Sequence, residues 1–203
     1  NQSFVKLDGA GDGTTVVVDS NSYALVSAFE DDGLQIIDIS NPAAPTAVAS
    51  ITDGGTDDNG DTFDELDGAQ MVTTVVVGGS TYALVIGGYD NGLQIVDISN
   101  PAAPTAVASI TDGGIDGNNN RFNNLYYPLG VTTVVINGST YAVVASFYDD
   151  VQIIDISNPA APTAVASIRD GDSDGNNKSF DKLDGAGDVT TVVIDGKTYA
   201  LVS

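Results

Sequence analysis

Residues Tyr23 to Ile51, YALVSAFEDDGLQIIDISNPAAPTAVASI, decide the fold. The stretch holds three apolar runs, YALVSAF (23–29), GLQIIDIS (33–40) and PTAVASI (45–51). Each is rich in branched residues and short enough to be a strand. The turn Ser40-Asn41-Pro42 ends the second run, because proline cannot donate to a β ladder. A further run, TTVVV (14–18), precedes them, so the unit reads as four strands. Leu34 and Ile36 point to one side of the third strand, and Ile37 and Ile39 to the other. A strand that is apolar on both faces belongs between packed sheets.

The unit repeats. NPAAPTAVASI recurs unchanged from Asn41, Asn100 and Asn158, at steps of 59 and 58 residues. The Tyr-Ala pair returns at Tyr23, Tyr82, Tyr141 and Tyr199, and KLDGAGD begins at both Lys6 and Lys182. The chain therefore reads as one repeat domain, 1–203, with repeats of approximately 1–55, 56–114, 115–172 and a partial 173–203. The third is one residue shorter, because YDNGLQ (89–94) becomes YDDVQ (148–152). Gly78-Gly79, Asn137-Gly138 and Asp195-Gly196 supply the positive φ that a tight hairpin needs. No segment carries an apolar stripe of helical period with caps. The expected fold is all-β, with β-propeller-like blades of four antiparallel strands, about 59 residues per repeat, and three and a half repeats. A linear β-repeat stack or filament is the competing geometry.

Composition narrows the function. The 203 residues carry 28 acidic and 6 basic side chains, a net charge of -22, and neither His nor Cys. This excludes disulfides, thiol nucleophiles, imidazole bases and imidazole or thiolate metal ligands. So acidic a chain repels nucleic acid and anionic lipid, and Lys182, Lys197 and Arg169 form no phosphate site. No run approaches the roughly 20 apolar residues of a membrane-spanning helix. The first residues, NQSFVKLDGAGDG, contain no apolar signal core, so any secretion signal is expected to lie outside this sequence.

The run LQIIDISNPAAPTAVAS, preceded by YALVSA, resembles the LVIVD-repeat family of surface proteins. The likeness covers the second to fourth strands of the three complete repeats, and the fourth up to its second strand. It implies a propeller-like fold and a place outside the cell or on its surface. It implies no catalytic residues. The long acidic insertion between repeats departs from the short motif.

Those insertions are the candidate metal sites. In DGDSDGNNKSFDKLDGAGD, starting at Asp170, the residues Asp170, Asp172 and Asp174 alternate, Gly175 and Asn176 follow, and Asp181 lies eleven residues from the start. This is similar to an EF-hand calcium loop with Asp at its last position, and calcium takes six to eight oxygens. Asp53, Asp57, Asn59, Asp61 and Asp64 give the 53–68 loop a comparable oxygen density. The 112–126 loop, with Asn123 in the last place, is expected to be weakest. The competing reading is solvated turn aspartates, which bond their own backbone.

Three further features carry expectations. Asp38, Asp97 and Asp155 recur in the third strand and are expected to bond backbone amides near the Ser-Asn-Pro turn. Tyr126 and Tyr127 break the repeat pattern in a loop and are candidates for sugar stacking. Asn1, Asn137 and Asn177 head glycosylation sequons. The sequence thus predicts a non-enzymatic extracellular or cell-surface structural or adhesive protein with calcium in its inter-repeat loops. An unpaired terminal half blade is expected to self-associate head to tail, into a ring or filament. A propeller module binding glycans or surface proteins is the alternative.

Overall fold

The computed structural model describes residue 4 and residues 7–203. Lys6 and the sequon at Asn1 lie outside the described residues. Three antiparallel four-stranded sheets follow one another along the chain. The first is β1 (Ala10–Val18), β2 (Asn21–Ala28), β3 (Gly33–Asp38) and β4 (Thr46–Thr52). The second is β5 (Ala69–Val77), β6 (Ser80–Gly87), β7 (Gly92–Asp97) and β8 (Thr105–Thr111). The third is β9 (Pro128–Ile136), β10 (Ser139–Ser146), β11 (Asp150–Asp155) and β12 (Thr163–Arg169). A hairpin of β13 (Val189–Ile194) and β14 (Lys197–Val202) makes half of a fourth. In each sheet, strands adjacent in sequence are adjacent in space, and no helix occurs among the described residues.

The sheets are propeller-like blades. Their first strands pack on one another in the order β1, β5, β9, β13, which makes these the inner strands of the array. The second blade has both of its apolar faces covered, one by the first blade and one by the third. One core joins Leu25, Leu34 and Ile36 of the first blade to Ala69, Val72 and Val85 of the second. Another joins Leu84, Leu93 and Ile95 of the second to Val131, Val144 and Ile154 of the third. This is the double burial that the continuous apolar runs require.

The first and second strands of each blade meet in two-residue turns with both residues at positive φ: Asp19-Ser20, Gly78-Gly79, Asn137-Gly138 and Asp195-Gly196. That is the type I′ geometry, whose twist matches the strands. Asn137 is exposed at one such turn. The first strand begins at Ala10, four residues before TTVVV. The fourth strand carries a bulge opposite Ile36-Ile37, repeated opposite Ile95-Val96 and Ile153-Ile154. No local signal marks it, because the bulged Val48, Val107 and Val165 look like ordinary strand residues.

Candidate functional site

The loops between blades and the turns between second and third strands meet on one face. The Asp67 N–H donates to Asp90, and the Gly68 N–H to Asp32. Tyr127 donates its N–H to Asn91, and Gly185 to Asp149, in the next two junctions. The first two long loops are anchored by apolar plugs, Phe63 with Leu66 and Phe122 with Leu125, which sit in the inter-blade cores. They recur with the period as F-x-x-L.

The aspartates proposed as ligands bond the backbone. Asp53, Asp112 and Asp170 each accept the N–H of the loop leucine thirteen residues on, Leu66, Leu125 and Leu183, at 2.9–3.2 Å. Oδ1 of Asp57 accepts the amides of Asn59 and Asp61. Oδ1 of Asp174 does the same for Asn176 and Lys178, and Oδ1 of Asp116 for Asn118 and Asn120. Asp172 accepts the Arg169 N–H, and Asp64 the Thr62 hydroxyl. Among the described residues, no group of three or more acidic side chains is arranged to hold a metal ion. Asp181 is exposed, as is Asn177 of the third sequon.

The second oxygen of two of these aspartates reaches across a blade junction. Oδ2 of Asp57 accepts the N–H of Ala106 in β8 at 3.1 Å, and Oδ2 of Asp116 that of Ala164 in β12 at 3.1 Å. Both alanines border the strand-four bulge, which leaves an N–H without a ladder partner. Desolvation pushes the Asp57 carboxyl up, but the amides of Asp61, Asn59, Ala106 and Gly60 outweigh it and hold it below the usual range. Asp116 is lowered by the same balance. The strand aspartates behave as expected, with Asp38, Asp97 and Asp155 accepting from the Ser40, Ser99 and Ser157 amides at 2.7–2.8 Å.

Each junction also uses a buried glutamine. Oε1 of Gln94 accepts the amides of Asp64 and Glu65 and the Ser109 hydroxyl, while its amide group donates to the Ala108 carbonyl. Gln152 repeats this with Asn123, Ser167 and Ala166. Gln35, Gln94 and Gln152 recur with the period, and that recurrence was the available signal.

The two complete junctions differ in charge. In the first, Glu65 is 7% exposed and its Oε2 has no hydrogen-bond partner. Burial, with the negative charges of Asp90, Asp53 and Asp64, pushes its carboxyl up to about 8. Asp90 is pushed up to about 6, first by burial. Gly92 makes the room, since a β-carbon there would collide with the Glu65 carboxylate. In the second, Asn124 takes the place of Glu65 and accepts from Arg169, and Arg169 pairs with Asp150 at 3.1 Å.

Aromatic rings run across this face. Phe29, Tyr89, Tyr127, Phe147, Tyr148 and Tyr126 form one continuous row, each ring centroid 5.0–6.2 Å from the next. Tyr89, Phe147, Tyr148 and Tyr126 are exposed. At one end, Tyr126 and Tyr148 line a polar cleft with Asp112, Asn123, Asp149 and Asp170. The sequence pointed to Tyr126 and Tyr127. It missed the rest of the row, because Tyr89, Phe147 and Tyr148 come from turns that only folding brings alongside.

This face crowns a repeat of defined type. The LVIVD repeat model matches residues 10–53, 72–112 and 131–170, and the chain belongs to the LVIVD-repeat family. No curated protein matches it in sequence. Solved structures share the fold. The catalytic domain of a Coprinopsis cinerea GH62 α-L-arabinofuranosidase is 13% identical with a TM-score of 0.57, over 97% of this chain and 60% of that one. A Bacteroides ovatus GH43B protein of a xyloglucan locus is 15% identical with a TM-score of 0.53, over 98% and 37%. An exo-β-1,3-galactanase from Phanerochaete chrysosporium is 12% identical with a TM-score of 0.53, over 98% and 44%. The chain spans less than two thirds of the length of each. At these identities the likeness is one of fold alone.

Proposed function

We propose that this protein is a non-enzymatic, extracellular or cell-surface propeller module that adheres through its loop face to carbohydrate. The observation that carries the reading is the row of six aromatic rings with polar side chains at its end. Sugar rings present flat apolar C–H faces and a rim of hydroxyls. Exposed aromatic rings take the faces, and carboxylates and carboxamides take the hydroxyls. An exposed aromatic strip of this extent on a soluble surface marks an interaction site. The glycosidase activities in the names of the structural neighbours are compatible with a sugar-facing propeller.

A binding role is favoured over catalysis by the state of the carboxylates. Asp112 and Asp170 are engaged by the Leu125 and Leu183 amides, and Asp150 is neutralised by Arg169. In this reading the loop acids stiffen the joints by hydrogen bonding, and calcium is not needed for the scaffold.

The test is affinity electrophoresis and calorimetry against a panel of soluble plant, fungal and bacterial polysaccharides. Binding by the native chain, weakened at least tenfold by Tyr148→Ala with Tyr126→Ala, is the expected result. Binding that survives both substitutions, or no binding across the panel, defeats the reading. Release of reducing ends from a bound glycan would show an enzyme instead.

A further inference from the structure

The cleft at the end of the aromatic row has a charge that stacking alone does not require. The loop between β8 and β9 gives it Asp112, Asn123 and Tyr126, the β10–β11 turn gives Tyr148 and Asp149, and Asp170 enters directly after β12. Its volume, about 440 Å³, lies in the range of small-ligand sites. Tyr126 and Tyr148 stand 5.0 Å apart with their planes tilted by 56°, and both are more than half exposed. They form an aromatic wall beside the acids.

The aspartates of the cleft are unequally compensated. Arg169 also lines it, but its guanidinium is committed. Nε pairs with Asp150 at 3.1 Å, and Nε and Nη2 donate to Oδ1 of Asn124. Among the described residues, no cationic side chain pairs with Asp112, Asp149 or Asp170. Each of the three gives Oδ1 to a backbone amide, that of Leu125, Gly185 and Leu183 respectively, at 2.9–3.0 Å. Those bonds hold the carboxylates in place without neutralising them. Their charges converge on the cleft. The Asp150 carboxyl is pushed up first by burial and, against the pull of Arg169, further by Asp149 and Asp112. A cleft lined by one sign of charge concentrates its field. This one repels uronates and sulfated sugars and attracts cations. The tyrosine rings act in the same direction, because the face of an aromatic ring is its negative side.

We propose that this cleft selects sugars carrying a protonated amine, with the ammonium among Asp112, Asp149 and Asp170 and the sugar ring against the Tyr126–Tyr148 pair. The inference rests on the carbohydrate reading and names its ligand class: amino-sugar chains whose nitrogens are free rather than acylated. An ammonium donates to the second oxygens of the aspartates as a charged group. An N-acetyl group at the same place loses the charge and most of the donors.

The test is calorimetry with three oligosaccharides of equal length, β-1,4-linked glucosamine, its N-acetylated counterpart and α-1,4-linked galacturonate. The buffer is mildly acidic, so that amines are charged and exposed aspartates stay ionised. Glucosamine oligomers are expected to bind at least tenfold more tightly than the N-acetylated ones and to weaken as salt is added, and galacturonate is expected not to bind. Asp112→Asn with Asp149→Asn keeps Oδ1 for the Leu125 and Gly185 amides and is expected to erase the preference. Asp19→Asn with Asp195→Asn removes the same charge from exposed hairpin turns at the opposite ends of the strands and is expected to keep it. Circular dichroism and melting verify each fold, and D149N alone serves if the double variant melts early. Equal binding of the N-acetylated oligomer overturns this inference and leaves the carbohydrate reading standing. Silence from the whole polysaccharide panel overturns both. Loss of the preference in the Asp19 and Asp195 variant assigns the attraction to net charge and overturns the cleft. Displacement of the glycan by an equal concentration of oligolysine makes the ligand a basic peptide and overturns the sugar.

Discussion

The carboxylate of Asp57 accepts the backbone N–H of Ala106, 49 residues away in the neighbouring blade, at 3.1 Å. One side chain thus closes its own loop through Oδ1 and ties two blades through Oδ2. Asp57→Asn separates the roles. The turn bonds survive, while the new amide group places a donor against the Ala106 N–H. The expected outcome is a fall in melting temperature of roughly 2–6 °C. Asp116→Asn should behave alike and Asp174→Asn should not, because Asp174 has no strand to tie. Equal losses in all three would place the stabilisation in the turn alone.

The architecture was legible because the repeat writes it three times in full and once in half. The apolar runs at 23–29 and 33–40, the Pro that ends the third strand, and the paired turn residues each obey a local rule. Three copies agreeing removed the ambiguity of any one. The junctions were less legible, because their bonds are non-local. Nothing near Asp57 in sequence announces Ala106, and nothing near Asp64 announces Gln94. An alternating D-x-D-x-D-G reads as chelation when its oxygens are free. In this loop one oxygen each of Asp170, Asp172 and Asp174 accepts a backbone amide, a use that the motif does not announce. The aromatic row escaped for the same reason, since its rings come from four separate turns and loops.

The first blade has a turn weaker than the others. Ser20 sits at φ 69°, where Gly79, Gly138 and Gly196 occupy the matching position. An L-residue with a β-carbon is strained there, and Ser20 is exposed, so nothing is lost by removing its hydroxyl. Ser20→Gly is expected to raise stability by about 0.5–1 kcal/mol, with the gain reduced by the entropy of glycine in the unfolded chain. Urea denaturation read by circular dichroism measures it. A neutral or destabilising result would mean that the β1–β2 turn is not held in this geometry in solution.

Divalent cations should act on the net charge of -22 rather than on a site. One oxygen of most loop aspartates already accepts a backbone amide, which holds the carboxylates apart in their turns. Millimolar calcium and magnesium are therefore expected to raise the melting temperature by the same small amount, and high sodium chloride to abolish the effect. Differential scanning calorimetry in the three salts decides this. A rise of several degrees specific to calcium and reversed by a chelator would restore chelation by Asp170, Asp172, Asp174 and their companions.

Glu65 makes stability depend on pH in a direction unusual for so acidic a chain. Its carboxyl is raised in the folded state to about 8, by burial first and then by Asp90, Asp53 and Asp64. In the unfolded chain it titrates near the ordinary glutamate value of about 4.3. Between those values the folded state holds a proton that the unfolded state releases, so stability falls as pH rises. The contribution is complete below the unfolded value and is lost as pH climbs through about 8. On the acid side, Asp57, Asp116 and Asp174 are lowered, so their contribution disappears as pH drops through their folded values. The melting temperature should therefore peak near the top of the acidic carboxylate range and decline toward pH 8. Growing repulsion among the other acids would give a similar slope, and Glu65→Gln distinguishes the two. It keeps the shape, removes the proton, and matches the Asn124 that fills this place in the next junction. The variant should melt with the native chain near pH 5, exceed it at pH 8 by the equivalent of on the order of 2 kcal/mol, and show a flatter profile between. Parallel profiles for the two proteins would place the pH dependence in the surface charge and leave Glu65 ionised in the fold.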